Sequence, residues 1–226
     1  MGRAILITGT DTGAGKTFAA CLLGRRLARE GLVVRPLKPV ESGCPAGADG
    51  KLFPADAAAL RDAMAPGLPL SEVCLHPLAA PLSPHLAARL EGVSIDPGRV
   101  REAVRSAAAA ADIVLVEGAG GIAVELAEGY SFADLARDTG MAVLVVAEDR
   151  LGVLNHLKLT IGYLASSGLA PGGVMLNGRS AEPFPAREFN EEEVRRIAGD
   201  RYLGRIPHGA ASLPEEIFSR FRKARI

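Results

Sequence analysis

The feature that most constrains the fold is a glycine-rich loop between an apolar run and a helical pattern. Residues 9–17 have the sequence Gly-Thr-Asp-Thr-Gly-Ala-Gly-Lys-Thr, after the run 3–8 and before a helix over about 16–30. This context of strand, loop and helix is the one that a phosphate-binding P-loop requires. Because its backbone N–H groups and the helix N-terminus can surround an anion, we expect a nucleotide site here. The spacing departs from the usual pattern in that Thr10 stands where a glycine is expected.

Further apolar runs alternate with helical stretches along the rest of the chain. Such runs are typical of strands buried on both faces of a sheet. The predicted strands after the first are 32–37, which Lys38-Pro39 closes, 112–117, 141–147, 173–177 and 202–206. Helices are predicted over 99–111 and 153–166, and irregular segments over 41–54 and 65–83. The pattern favours an α/β fold that is P-loop NTPase-like, with a mostly parallel sheet and helices on both faces. We expect a single domain over residues 1–226.

Composition excludes several classes of function. The chain has 26 Lys plus Arg and 26 Asp plus Glu, whereas a nucleic-acid binder needs a basic excess. Its three cysteines form no C-x-x-C pair, which argues against a disulfide framework or a cysteine zinc site. The longest apolar run, 141–147, is far shorter than a membrane span. We therefore expect a cytoplasmic protein that binds neither nucleic acid nor membrane.

Charged side chains near the predicted strand ends indicate what the nucleotide site could do. Lys16 can reach the β- and γ-phosphates, and the Thr17 hydroxyl can bind Mg²⁺. Glu117, which ends the third predicted strand, is a second candidate ligand for Mg²⁺. Asp56 is another, although a carboxylate at the start of a helix also has a purely structural explanation. Lys38 can supply a second positive charge to a phosphoryl group, or it can be a lysine that only extends its amine to solvent.

The segment after the fifth strand bears on the choice of base. Asn177-Gly178-Arg179-Ser180 keeps the asparagine of the guanine-binding N-K-x-D pattern but lacks its carboxylate. That carboxylate is the group that would accept hydrogen bonds from guanine. Adenine is therefore the expected base.

An ordered series of motifs resembles one known family, the ATP-dependent dethiobiotin synthetases of the biotin pathway. The loop carries that family's own variant, G-T-D-T-x-x-G-K-T, and the similarity continues in order to about residue 180. The other matching segments are 38–43 (KPVESG), 55–57 (ADA), 81–85 (PLSPH), 114–121 (VLVEGAGG) and 151–156 (LGVLNH). P-loops are common, whereas this ordered set is much more specific.

The resemblance implies a reaction of CO₂ or bicarbonate with 7,8-diaminononanoate, using ATP and Mg²⁺. One amine forms a carbamate, the carbamate takes the γ-phosphoryl group as a carbamyl phosphate, and the second amine closes the ureido ring. The implied catalytic residues are Lys16, Lys38 and Thr12. Those implied for nucleotide binding are Gly13, Ala14, Gly15, Lys16, Thr17, Asn177 and Pro207. The implied Mg²⁺ ligands are Thr17, Asp56 and Glu117. The residues implied for substrate binding are Ser42, Pro81 and Ser83, together with Gly152, Val153 and Asn155 from the second subunit of a homodimer.

Two positions depart from the family pattern. Position 13 is often acidic in the family and is glycine here, which removes a charge near the nucleotide. Where many members carry a tyrosine that donates to the substrate carboxylate, the spacing lands on Phe189, which cannot donate. Substrate affinity is then expected to be weaker, unless another donor serves.

Three other interpretations stay open. A P-loop switch ATPase that dimerises would usually carry an extra lysine early in the loop, where this chain has 10–12 as Thr-Asp-Thr. A non-catalytic regulatory module of the dethiobiotin-synthetase type would tend to lose Lys38, Asp56 or Glu117, and all three are present. An amidating synthetase would need a glutaminase domain or a partner.

Overall fold

The computed structural model describes residues 2–181, 186–224 and 226. In that part of the chain the strands are β1 (Arg3–Gly9), β2 (Val34–Glu41), β3 (Cys74–Pro77), β4 (Ile113–Gly121), β5 (Glu125–Ala127), β6 (Tyr130–Ser131), β7 (Ala142–Glu148), β8 (Pro171–Asn177) and β9 (Tyr202–Ile206). The helices are α1 (Lys16–Arg29), α2 (Ala55–Met64), α3 (Leu70–Val73), α4 (Pro84–Glu91), α5 (Pro97–Ala109), α6 (Phe132–Thr139), α7 (Val153–Ser166), α8 (Arg187–Ala198) and α9 (Glu215–Ala224).

The main sheet of the described residues has seven strands in the order β3-β2-β4-β1-β7-β8-β9. Every neighbouring pair in it is parallel. The strand that leads into the glycine-rich loop, β1, therefore lies between β4 and β7 at the centre. β5 and β6 form a small antiparallel pair beside it. The predicted α/β fold with a parallel sheet is confirmed.

Apolar side chains of the central strands alternate between two separate cores. Along β1, Leu6 packs in one core, and Ile5 and Ile7 pack in the other. The first core contains residues of α5, α6, α7 and α8, and the second contains residues of α1, α2 and α9. Helices therefore cover both faces of the sheet, and the glycine-rich loop follows the carboxyl end of β1, where parallel sheets place their ligands.

The prediction that Lys38-Pro39 closes the second strand is wrong, because β2 continues to Glu41. Residues 34–37 pair with β4, and residues 38–41 pair with β3. The sequence analysis does not predict β3, an edge strand of four residues that ends in a proline. The second half of β2 pairs with β3. Because β3 is not predicted, the predicted second strand is also too short.

The third predicted strand, 112–117, is also too short, since the corresponding strand β4 runs through Glu117 to Gly121. Glu117 is therefore an interior residue of a buried strand and is 1% exposed. The predicted helix 153–166 is confirmed as α7, and the helix predicted over 99–111 lies two residues earlier, as α5. No helix among the described residues is long and apolar enough to cross a membrane.

Candidate active site

The glycine-rich loop lies at the carboxyl end of β1 and ends at the first turn of α1. Gly13 and Gly15 have φ angles of 79° and 87°, in the region that favours glycine. A Cβ at Gly15 would lie 2.0 Å from Nδ2 of Asn177, so the close approach of these two segments requires glycine. The Lys16 side chain folds back over the loop, with Nζ 3.4 Å from the carbonyl oxygen of Asp11. This is the geometry of an anion cradle with a cation above it.

The loop borders a cavity of about 590 Å³, a volume typical of small-molecule sites. Most of the residues predicted for the nucleotide, for catalysis and for the metal line it, as does Ser42, which is predicted for the substrate. These are Thr12, Gly13, Gly15, Lys16, Thr17, Lys38, Ser42, Asp56, Glu117 and Asn177. The cavity thus brings together side chains from β2, β4, β8 and the starts of α1 and α2.

Four of these residues, Thr17, Lys38, Asp56 and Glu117, form a hydrogen-bonded cluster that we call the charged corner. Glu117 Oε1 accepts from Thr17 Oγ1 at 3.0 Å and from Lys38 Nζ at 2.5 Å. Lys38 Nζ also lies 3.3 Å from Asp56 Oδ2. The side chains of Lys38 and Glu117 are 4% and 1% exposed, so this ion pair is almost completely removed from water.

The charged corner suits a magnesium ion. Among the described residues, Oε2 of Glu117 is a buried oxygen without a hydrogen-bond partner, and so it is available as a ligand. The Asp56 carboxylate and the Thr17 hydroxyl add two further hard oxygen donors. Across the same residues, no group of three or more His, Cys, Asp and Glu could hold a metal by itself. Mg²⁺ is the cation that such a sparse set fits, because it keeps several waters and shares ligands with phosphates.

The two lysines of the site differ in their electrostatics. Burial lowers the pKa of Lys16, although Glu117 acts in the opposite direction. Burial alone would also lower the pKa of Lys38, but Glu117 and Asp56 outweigh it and hold the pKa above its ordinary value. Lys38 is therefore a fixed cation at neutral pH, held in place by the carboxylates on either side.

A second group of lining residues, which we call the base wall, consists of Asn177, Gly178, Arg179, His208 and Gly209. Asn177 Nδ2 donates to the carbonyl oxygen of Ala14 at 2.9 Å, which joins β8 to the phosphate loop. Its Oδ1 is buried and has no partner among the described residues. Arg179 donates to the carbonyl oxygen of Gly13. The base wall thus presents amide and backbone groups and one exposed cation.

Some of the predicted residues do not line the cavity. Ala14 is fully buried and contributes its carbonyl to Asn177, while Pro207 directly precedes the lining residues His208 and Gly209. Pro81 packs near Gly43, where an added Cβ would be 3.5 Å away from it. Ser83 lies at the start of α4.

The three residues predicted to reach a second subunit lie at the start of α7, outside the cavity lining. Gly152 precedes the helix with a φ of 94°. The Val153 side chain is buried in the core and its backbone N–H donates to the carbonyl oxygen of Arg150, whereas Asn155 is exposed. Phe189 is 64% exposed on α8 and does not line the cavity either.

Glu41, which is not among the predicted site residues, is 8% exposed and lines the cavity. Its carboxylate accepts from the backbone N–H groups of Asp56 and Ala57, each at 2.9 Å. Burial raises the pKa of Glu41, and these two donors act in the opposite direction. No local signal could have revealed this contact, because it joins residues that lie far apart in the chain.

Comparison with known proteins gives a consistent result. Residues 3–215 match the model of a family described as an AAA domain. The protein named ATP-dependent dethiobiotin synthetase BioD from Anaeromyxobacter sp. (strain Fw109-5) is 40% identical over 222 residues, which cover 98% of this chain and 97% of that protein. The protein of the same name from Aromatoleum aromaticum is 41% identical, over 97% of both chains.

Solved structures resemble this one at lower identity. The septum site-determining protein MinD from Pyrococcus horikoshii, in complex with Mg-ADP, superimposes with a TM-score of 0.57 at 20% identity, over 100% of this chain and 89% of that one. A ParA family ATPase from Chlorobium tepidum gives a TM-score of 0.54 at 16% identity, over 99% and 90% of the two chains. At these identities the likeness concerns the fold alone.

Proposed function

Since this chain belongs to the family of ATP-dependent dethiobiotin synthetases, we propose that it joins CO₂ to 7,8-diaminononanoate with MgATP and closes a ureido ring. One amine of the substrate would become a carbamate, and the carbamate would accept the γ-phosphoryl group. Attack by the second amine on this carbamyl phosphate would expel phosphate and form the ring. No covalent bond to the protein is needed at any step.

The observation that carries the proposal is the charged corner beside the phosphate loop. Phosphoryl transfer depends mainly on positioning and on neutralising negative charge. Lys16 lies over the loop, where it would meet the terminal phosphates, and Lys38 is a buried cation directly beside the carboxylate pair. Ser42 and Thr12 line the same cavity and can hold the carbamate and the reacting amines by hydrogen bonds. Together these groups would orient donor and acceptor and stabilise the transferring group.

We assign Mg²⁺ to Thr17, Asp56 and Glu117. The free Oε2 of Glu117 supports this assignment, as do the hard oxygen donors of the other two residues. When it is bound, the ion would neutralise charge on the β- and γ-phosphoryl groups. The protein's own part is to hold the two carboxylates, which it does through Lys38.

We assign adenine to the base wall. The unpaired Oδ1 of Asn177 is an acceptor suited to the exocyclic amine of adenine. Its Nδ2 is already bonded to the Ala14 carbonyl, which fixes the orientation of the amide. Pro207 and the residues after it would enclose the base from the other side.

A second copy of the chain would complete the site. Asn155, Leu159 and Tyr163 recur at a spacing of four along α7 and so share one face of it. Leu159 is 65% exposed and Tyr163 is 38% exposed, so this face carries apolar surface that a partner could cover. An interface on this face would bring Asn155 and the start of α7 to the partner's substrate.

Sedimentation of Leu159→Arg tests the shared site. We expect the variant to be monomeric and to lose most of its turnover, because each site lacks the partner's α7. Leu90→Arg is the matched control, since Leu90 is 71% exposed on α4 and should not affect association. A wild-type protein that is monomeric at micromolar concentration and fully active would rule the shared site out.

We further assign the enzyme to a reducing compartment, the cytoplasm. Cys21, Cys44 and Cys74 are all free and buried. Burial raises the pKa of the Cys21 and Cys44 thiols to about 11, so they are protonated and unreactive at neutral pH.

Phosphate release from MgATP and bicarbonate, measured with and without 7,8-diaminononanoate, tests the reaction. We expect release that depends on the diamine, together with a product of the mass of dethiobiotin. Slow release that is indifferent to the diamine would contradict the proposed reaction and favour a switch ATPase instead.

A further inference from the structure

Helix α2 carries the proposed metal ligand Asp56 in its first turn, yet it has no local cap. The residue at the cap position is Pro54, and no side chain there accepts a hydrogen bond from the helix. The first N–H groups of a helix have no partner within it, so they need one from elsewhere. What holds the start of α2 must therefore come from another element.

Glu41, the last residue of β2, supplies that partner. Its Oε1 accepts from the backbone N–H of Asp56, and its Oε2 accepts from that of Ala57, each at 2.9 Å. A carboxylate at a helix N-terminus is also favoured by the helix dipole. Because both oxygens are occupied in this way, Glu41 is suited to hold the helix and is not suited to bind a cation itself.

The same contact fixes the backbone that carries the Asp56 side chain. The Asp56 carboxylate is 47% exposed, and its ion pair is with Lys38 Nζ at 3.3 Å. Lys38 and Glu41 lie on the same strand, so β2 holds Asp56 at two points: by its backbone N–H and by its carboxylate. An exposed carboxylate held by a single ion pair would sample many positions, whereas the backbone anchor limits it to the charged corner.

We propose that Glu41 is a positioning residue for the metal site, one that caps α2 from β2 and thereby holds Asp56 beside Lys38 and Glu117. The inference rests on the proposed Mg²⁺ site. It assigns Glu41 no contact with the substrate and no step in the chemistry. Its predicted effect is confined to the part of nucleotide binding that depends on Mg²⁺.

Calorimetric titration of ADP, in saturating Mg²⁺ and in EDTA, tests this without any turnover. In EDTA, we expect Glu41→Ala to bind ADP with the affinity of the wild type. The factor by which Mg²⁺ raises the affinity for ADP should be about tenfold smaller in Glu41→Ala than in the wild type, which is the usual scale for residues that orient a metal ligand. Glu41→Gln keeps one acceptor oxygen and should lose less. Hydrogen exchange at the amides of Asp56 and Ala57 should be faster in both variants.

Asp96→Ala provides a matched control. Asp96 caps α5 by accepting from the N–H of Gly98 at 2.7 Å, and neither residue lines the cavity. This variant loses the same kind of contact, and we expect its response to Mg²⁺ to be unchanged. An unaltered Mg²⁺ effect in Glu41→Ala would overturn the proposal; if that variant does not fold, an unaltered effect in Glu41→Gln would do so. ADP binding does not involve the diamine, so failure of the proposed reaction would be seen separately.

Discussion

The charged corner and the base wall line the same cavity, but they are built differently. In the corner, Lys38 and Glu117 are buried inside strands, and each charge is held by another. In the base wall, Asn177 is the buried polar group, and it is joined to the loop by one amide hydrogen bond. The remaining groups there are backbone, an imidazole and an exposed arginine. One side of the cavity therefore provides fixed charge, and the other provides shape and hydrogen bonds.

This difference indicates how the work of the site is divided. Fixed charges that need not reorganise are the features that stabilise a transferring phosphoryl group. A neutral amide can select a base by hydrogen bonding, and it adds no charge to the site. We therefore expect changes in the corner to affect kcat and changes in the base wall to affect the KM for ATP.

The largest effect is expected for the lysines. Lys16→Ala and Lys38→Ala should each lower kcat by about 10³-fold or more, because each removes a cation from the developing phosphoryl charge. Both proteins should stay folded by circular dichroism. Lys38→Ala should be less stable by about 3 kcal/mol, since it leaves the buried Glu117 carboxylate without its main partner.

Steady-state kinetics of the two variants should be compared with those of Lys51→Ala. The Lys51 side chain is 85% exposed, and its loss should change nothing. Turnover like that of the wild type in Lys38→Ala would remove the assignment of fixed charge to the corner, and in Lys16→Ala it would remove the role of that lysine at the terminal phosphates.

The two regions also differ in how far the sequence predicts them. The loop 9–17 is local, so its glycines, Lys16 and Thr17 are predicted from their spacing alone. Lys38 and Glu117 are predicted as site residues at strand ends, but both lie inside strands. The placement of Lys38 depends on pairing with β3, which is too short to show in the sequence, whereas Glu117 pairs with Ile7 of β1. Glu41 was missed because a cap from one element to another leaves no pattern in either.

A smaller effect is expected in the base wall. Asn177→Ala should raise the KM for ATP about tenfold with little change in kcat, because it removes an acceptor for the base and the partner of the Ala14 carbonyl. Asn190→Ala is the matched control. Asn190 is also buried, and it donates to Asp149 at 2.9 Å outside the cavity lining. It should lose stability without a change in KM. If Asn177→Ala lowered kcat by a larger factor than it raised the KM for ATP, the base wall would take part in the chemical step.

The smallest effect is expected for Arg179→Ala. Arg179 is the cation of the base wall, and it donates to the carbonyl oxygen of Gly13 from an exposed position. Exposed charges are screened by solvent, so we expect the KM for ATP to rise by less than about threefold. Repeating the measurement at low and high salt sharpens the test, since screening predicts a weaker effect at high salt. An increase of tenfold or more, independent of salt, would show that Arg179 becomes buried against the nucleotide. The base wall would then supply fixed charge as the corner does, and the division between the two sides of the cavity would no longer hold.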